Sequence, residues 1–239
     1  MNAAAAGPVG VIAALPAEGR SLSAASSLLV RISGVGADAA GAACDMLLAA
    51  GAVALVSWGS AAGLDDDLAP GTLVLPDRVV GSTAPRPDRD WGDRVAFALR
   101  GRVRVVRGAM ACPPTLLRTP ADKRALAALG AVAADMESSA VADAARRAGV
   151  PWLAVRAIAD GARVTVPDSV GASIDARGRV RLMRLVMALM RRPADVAALP
   201  ALATGFRAAS QTLRTVAAMA GPRLLAPIPA APYAREGVA

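Results

Sequence analysis

Among its 239 residues the chain has no histidine, so proton transfer near neutral pH must fall to carboxylates, to water or to a group with a perturbed pKa. Aromatic residues make up only 3% and do not interleave with basic ones. That argues against a groove for single-stranded nucleic acid, where bases need stacking platforms, and no nucleic-acid partner is expected. Cysteine is limited to Cys44 and Cys112, whose spacing suits neither a metal site nor a redox motif. No apolar run reaches the roughly 18 residues of a membrane span. The start, Ala3 to Leu15, is apolar but lacks a basic segment and is interrupted at Pro16 and Glu18, so it reads as a strand and not a signal peptide. Together with the scarce cysteine, this gives the expectation of a cytoplasmic protein. Lysine is also scarce: Lys123 is alone, and the net charge of +8 rests on arginine.

What is present is apolar material, 55% of the residues, enough for one large α/β domain or two small ones. The positive charge is uneven. From Asp175 onward, ten arginines face only Asp175, Asp195 and Glu236. Such a segment suits nucleic acid, an anionic membrane surface or simply water.

Apolar runs at Val9 to Leu15, Leu28 to Ile32, Ala52 to Ser57, Leu73 to Val80, Val103 to Met110, Ala131 to Ala134 and Val150 to Ile158 predict strands. Helices are predicted over Asp38 to Ala50, Pro120 to Leu129 with Thr119 as N-cap, and Ser138 to Ala148, stopped by Gly149. Ser82 to Asp93, with Pro85 and Pro87 and no period, predicts a loop. Arg179 to Arg192 predicts a helix. It and the preceding Arg177 set Arg177, Arg181, Arg184, Arg191 and Arg192 on one face, opposite leucine and methionine. One or two further helices are expected over Ala194 to Ala218, around Pro200 and Gly205. The alternation predicts a single α/β domain over residues 8–219, a twisted mixed sheet flanked by helices, followed by a Pro/Ala-rich tail over 220–239 expected to be disordered. Ligands of such folds gather at the carboxyl ends of strands.

Three patterns fall at those ends. Ser57 to Leu64, continued by Pro70 to Val74, places small residues after a buried strand, where a ligand can approach the backbone, although a tight turn has the same composition. Asp135-Met136-Glu137-Ser138-Ser139-Ala140 puts a carboxylate where it can accept two hydroxyl hydrogen bonds, as a ribose diol requires, or simply start a helix. Val155-Arg156-Ala157-Ile158-Ala159-Asp160 sets an acid at the end of an apolar strand.

Their combination and order, together with Val9 to Ala14 and Ser33-Gly34-Val35-Gly36, resemble the nucleoside phosphorylase superfamily, and within it the methylthioadenosine/S-adenosylhomocysteine nucleosidase branch, over roughly residues 8–190. The hopanoid-associated phosphorylase subfamily is similar in more detail. It shares Leu15-Pro16-Ala17-Glu18, Asp135-Met136-Glu137-Ser138, Val166-Pro167, the Arg191 to Asp195 segment and a final helix like Ala208 to Val216.

The resemblance implies displacement at the ribose anomeric carbon with adenine leaving. It assigns Asp160 to protonate the purine at N7, Glu18 to orient or deprotonate an attacking water, and Glu137 to grip the ribose hydroxyls. Met136 lines the sugar, with Ser60, Ala61 and Gly34 as further substrate contacts. It implies no metal or organic cofactor, leaves inorganic phosphate open as a co-substrate, and suggests a homo-oligomer. The subfamily implies a lipid-linked nucleoside, adenosylhopane, and peripheral contact with an anionic membrane.

Departures from the family pattern bear on this. Ala159 stands where the nucleosidases usually carry serine, Ala62 where glycine is usual, and Cys112 to Leu117 replaces the aromatic-bearing base loop. Ser57 occupies the position of the phosphate-binding arginine of hexameric phosphorylases, with Arg20 as an alternative charge near Glu18, which leans towards hydrolysis. Methylthioadenosine or S-adenosylhomocysteine as substrate, and a non-catalytic nucleoside-binding protein on the same fold, stay open.

Overall fold

The protein's architecture is taken from a computed structural model, which describes residues 7–22, 27–173, 187 and 190–227. Its centre is a long strand, β3 (Ala54–Gly63). The apolar stretch that predicts a strand only to Ser57 continues through Gly59-Ser60-Ala61-Ala62, so the small residues form the second half of the strand and not a loop after it. Along one edge of β3 runs the parallel strand β9 (Trp152–Asp160), paired from Leu55 to Ala62. Two strands share the other edge and arrive from opposite directions. β1 (Val9–Ala13) runs parallel and ends at the pair Ala13–Trp58, while β8 (Ala131–Ala134) runs antiparallel and ends at Ala134–Ala62. The backbone of Gly59 to Ala61 faces the gap between them.

The rest of the mixed sheet extends outward. β2 (Leu28–Ile32) lies beside β1. β4 (Leu73–Val74) and β6 (Val105–Val106) lie beyond β9, and β7 (Ala109–Ala111) and β5 (Arg78–Val79) beyond β8. The two long strands expected over Leu73 to Val80 and Val103 to Met110 are thus each split in two, at Pro76, which has no N–H to give a ladder, and at Arg107-Gly108.

Side-chain alternation divides the core between the two faces of the sheet. Val9, Val11, Val56, Trp58 and Val155 pack on one face under α7 (Leu199–Ala220), through Leu213, Val216 and Ala217. Ile12, Leu55, Trp152 and Ala154 pack on the other under α2 (Ala37–Ala49) and α5 (Ser138–Ala148), through Leu47, Cys44 and Val141. Gly149 ends α5 in the left-handed conformation, φ 64°, as the sequence predicts. α4 (Pro120–Ala127) starts at the capping box of Thr119 and Asp122.

Two regions depart from expectation. The predicted loop from Ser82 to Asp93 gives way at its end to α3 (Arg89–Ala98), capped by the Asp88 side chain, which accepts from Trp91 N at 2.8 Å. Trp91, Val95 and Leu99, spaced by four, are buried against the α7 side of the core. The chain after α7 folds back onto α3: Leu224 is buried, and its carbonyl accepts from Trp91 Nε1 at 2.7 Å. Residues 221–227 of the expected tail are therefore packed, and 228–239 lie outside the described residues. α7 is one 22-residue helix with Pro200 in its first turn, where a missing N–H costs nothing. Most of the predicted helix from Arg179 to Arg192, including Arg181 and Arg184, lies outside the described residues, as does Arg177. Among the described residues no helix is long and apolar enough to cross a membrane.

Candidate active site

The gap between β1 and β8 opens into a cavity of about 810 Å³, which falls within the range of small-molecule sites, roughly 300–1,000 Å³. Glu18, Glu137 and Asp160 all line it, as do Ser60, Ala61 and Met136. Each acid comes from a different strand end. Glu18 lies on α1 (Pro16–Gly19) just after β1, Glu137 lies at the start of α5 after β8, and Asp160 is the last residue of β9.

Glu18 is buried and fixed by three donors. Oε1 accepts from Ser60 N at 2.8 Å and Ser60 Oγ at 2.7 Å, while Oε2 accepts from Leu15 N at 2.9 Å. Ser60 N belongs to the stretch of β3 that neither β1 nor β8 covers, so the carboxylate satisfies a backbone donor the sheet leaves open. Gly59 makes the approach possible. A Cβ there would stand 2.7 Å from Glu18 Oε1 and 2.8 Å from Arg156 Nη1.

Behind this wall Arg156 is fully buried. Its Nη2 donates to Ser57 Oγ at 2.6 Å and pairs with Asp135 Oδ2 at 2.6 Å and Glu137 Oε2 at 3.5 Å. Burial disfavours the guanidinium charge, but Asp135, Glu137 and Glu18 together raise its pKa. Asp135 is further held by Ser138 Oγ and N and by Cys112 Sγ, which donates at 3.0 Å. Glu137 Oε1 accepts from Gly36 N at 2.9 Å. Burial pushes the Glu137 carboxyl above the ordinary range, against the opposing pull of Arg156. Gly36 has φ 103°, a left-handed conformation open to glycine, and the turn it makes carries its N–H to Glu137.

Asp160 owes its place to a β-bulge. Ala61 pairs with Ile158 and Ala62 with Asp160, so Ala159 is the extra residue. The break in alternation sends Ile158 into the apolar cluster with Val74 and Met110, while Asp160 faces the cavity. Lys123 of α4, fully buried, forms an ion pair with Asp160 Oδ2. Burial pushes the Asp160 carboxyl up, and Lys123 draws it back towards the ionised form.

Gly34 is buried but does not line the cavity; its neighbour Val35 does. Arg20 is exposed and does not line the cavity either, and Ser57 lies beneath the floor, bonded to Arg156 and Ser138. Arg118 is the arginine lining the cavity among the described residues, and it is ion-paired with Asp168, which also pairs with Arg192 at 2.6 Å. Pro113, Thr115, Leu116 and Leu117, from the stretch that replaces the aromatic base loop, form an apolar wall. Among the described residues no aromatic side chain lines the cavity.

Sequence reasoning missed the roles of Lys123, Asp135 and Arg156. A lone lysine and an arginine inside an apolar strand were the available signals. Chemically, the arrangement offers a fixed carboxylate beside an open backbone edge, a second carboxyl for hydroxyl groups, and a third whose proton affinity is raised by burial.

Residues 23–190 match the sequence family described as the phosphorylase superfamily. No curated protein gives a significant match. Among solved structures, futalosine hydrolase of Helicobacter pylori is similar at 14% identity and a TM-score of 0.66, covering 88% of this chain and 95% of that one. The 5′-methylthioadenosine/S-adenosylhomocysteine nucleosidase of Neisseria meningitidis, in complex with methylthio-immucillin-A, is similar at 16% identity and a TM-score of 0.65, covering 89% and 97%. The S-adenosylhomocysteine nucleosidase of Streptococcus pyogenes, in complex with 5-methylthiotubericidin, reaches 19% identity and a TM-score of 0.63, covering 90% and 97%.

Proposed function

The chain belongs to the phosphorylase superfamily, and from that premise we propose that it cleaves the N-glycosidic bond of a purine nucleoside and releases adenine. The observation that carries this reading is the convergence of Glu18, Glu137 and Asp160 on one cavity at the gap in the β3 edge. In the proposed reaction Asp160 gives its proton to N7 as the C1′–N9 bond breaks, so the base leaves neutral. A water adds to C1′, and Glu18 takes its proton. Glu137 accepts from the ribose hydroxyls, and Met136 and Ala61 pack on the sugar. The developing positive charge on the ribose ring meets a cavity edged by fixed carboxylates, which favours the transition state over the neutral substrate.

Hydrolysis is favoured over phosphorolysis. Arg118 is committed to Asp168, and Arg156 to Asp135, Glu137 and Ser57, so neither guanidinium is free for a phosphate. The similarity to nucleosidases of 5′-methylthioadenosine and S-adenosylhomocysteine makes either compound one candidate substrate. The hopanoid-associated motifs, the apolar wall of Leu116 and Leu117 and the exposed Val35 at its edge favour a nucleoside with a large apolar 5′ group, adenosylhopane. The test is adenine release from adenosylhopane and from methylthioadenosine, each with and without phosphate. Free sugar as product supports hydrolysis, a sugar 1-phosphate as sole product replaces it with phosphorolysis, and no adenine from either substrate removes the proposal.

A further inference from the structure

Lys123 is the chain's one lysine beside 26 arginines, and its side chain is fully buried. It enters from α4, a helix that carries none of the acids lining the cavity. Its Nζ bonds Asp160 Oδ2, Gly161 O at 2.8 Å and Val164 O at 2.9 Å. An ammonium has three donors on one atom, and here each has its own acceptor. The planar fork of an arginine spreads its donors over three nitrogens and cannot aim three of them at one small convergent set. That accounts for a lysine at this place in a chain that uses arginine elsewhere. The same contacts tie down the turn after β9, which also closes through Val164 N to Gly161 O at 3.1 Å.

We propose that Lys123 is the positioning residue of the acid: it holds Oδ2 of Asp160, so that the proton delivered to the leaving base is carried by Oδ1. The Asp160 side chain makes no other hydrogen bond among the described residues, so Oδ1 is the oxygen left for a ligand. This rests on the reading of Asp160 as the acid. The ammonium charge also opposes the effect of burial on that carboxyl. Among the described residues, the other charged groups lining the cavity are Glu18, Glu137, Asp135 and the Arg118–Asp168 pair. Asp135 and Glu137 are balanced by Arg156, and Asp168 by Arg118 and Arg192, which leaves Lys123 as the charge in direct contact with Asp160.

The experiment follows adenine release from methylthioadenosine by the full chain across pH. In Lys123→Met the basic limb of kcat/KM should move to higher pH, because the acid loses the cation that favours its ionised form. The value of kcat should fall roughly tenfold to hundredfold through lost orientation, with KM little changed. An unchanged limb in folded Lys123→Met overturns the proposal. Should that variant fail to fold, wild type gives the answer without mutation, because lysine labelled with ¹⁵N at Nζ yields one signal. Slow-exchanging Nζ protons whose shift titrates with the basic limb support the proposal, and a fast-exchanging signal indifferent to that limb overturns it. Asp160→Asn separates the two readings. Wild-type turnover by that variant removes Asp160 as the acid, and the Lys123 role with it. Loss of turnover, with an unmoved limb in Lys123→Met, removes only the role of Lys123.

Discussion

Gly205 of α7 rests against the carbonyl oxygen of Ala159, and a Cβ on Gly205 would stand 2.0 Å from that oxygen. The contact joins the longest helix among the described residues to the bulge that aims Asp160 into the cavity. Gly205→Ala sets a Cβ against a backbone oxygen, which no side-chain rotation relieves. The expected result is a loss of about 1–3 kcal/mol in urea unfolding, the scale of overpacking, together with lower kcat. A variant of wild-type stability and activity would show that α7 does not hold the bulge in place.

Asp160→Asn should lower adenine release by roughly two orders of magnitude or more, the scale of a lost general acid. The structure places Asp160 against a fully buried ammonium, so the amide leaves Lys123 without its counter-charge. A loss of about 3 kcal/mol is expected, at the lower end for a broken buried pair because two carbonyls remain on the lysine. Urea unfolding of the variant checks this.

Glu18→Gln should abolish adenine release in the absence of phosphate. The amide has one acceptor oxygen where the carboxylate uses two, so its NH₂ must face either Leu15 N or the two donors of Ser60. Retained phosphate-independent turnover, measured as free adenine, would exclude Glu18 as the base.

Glu137 supplies a pH signature. Its carboxyl is held above the ordinary range, so the folded state binds the proton more tightly than the unfolded one. The stability this contributes is full below the unfolded pKa, about 4.3, and is lost as pH rises through the higher folded value. Glu137→Gln has no such titration. Its stability relative to wild type should therefore improve as pH rises from the acidic side, read from urea unfolding at a series of pH values. The opposite trend would mean that Arg156 outweighs burial at this site.

If the substrate is lipid-linked, the arginine-rich segment should meet the membrane. Wild type is expected to co-sediment with anionic liposomes at low salt and to release at high salt, each arginine contributing on the order of 1 kcal/mol. Replacing Arg181, Arg184 and Arg191 by Gln should weaken that binding and leave turnover of a soluble nucleoside unchanged. Arg192 is left out because Asp168 already engages it. Wild type that ignores anionic liposomes at low salt would make the basic segment a solvated one.

The sequence by itself determined the alternation of strands and helices, the caps at Thr119 and Gly149, and the location of Glu18, Glu137 and Asp160 at strand ends. Each of those is a local matter of apolar period, small residues and cap chemistry. α3 was legible in principle, from Asp88 and the spacing of Trp91, Val95 and Leu99, but Pro85 and Pro87 just before it hid the signal. The tertiary structure alone decided the rest. The bulge at Ala159 depends on register against β3, which no run of propensities specifies. Arg156 meets Ser57, 99 residues away, and Lys123 meets Asp160 across 37 residues. Buried charges must find partners wherever the packing brings one within reach, and that pairing is a property of the folded chain, not of any local stretch.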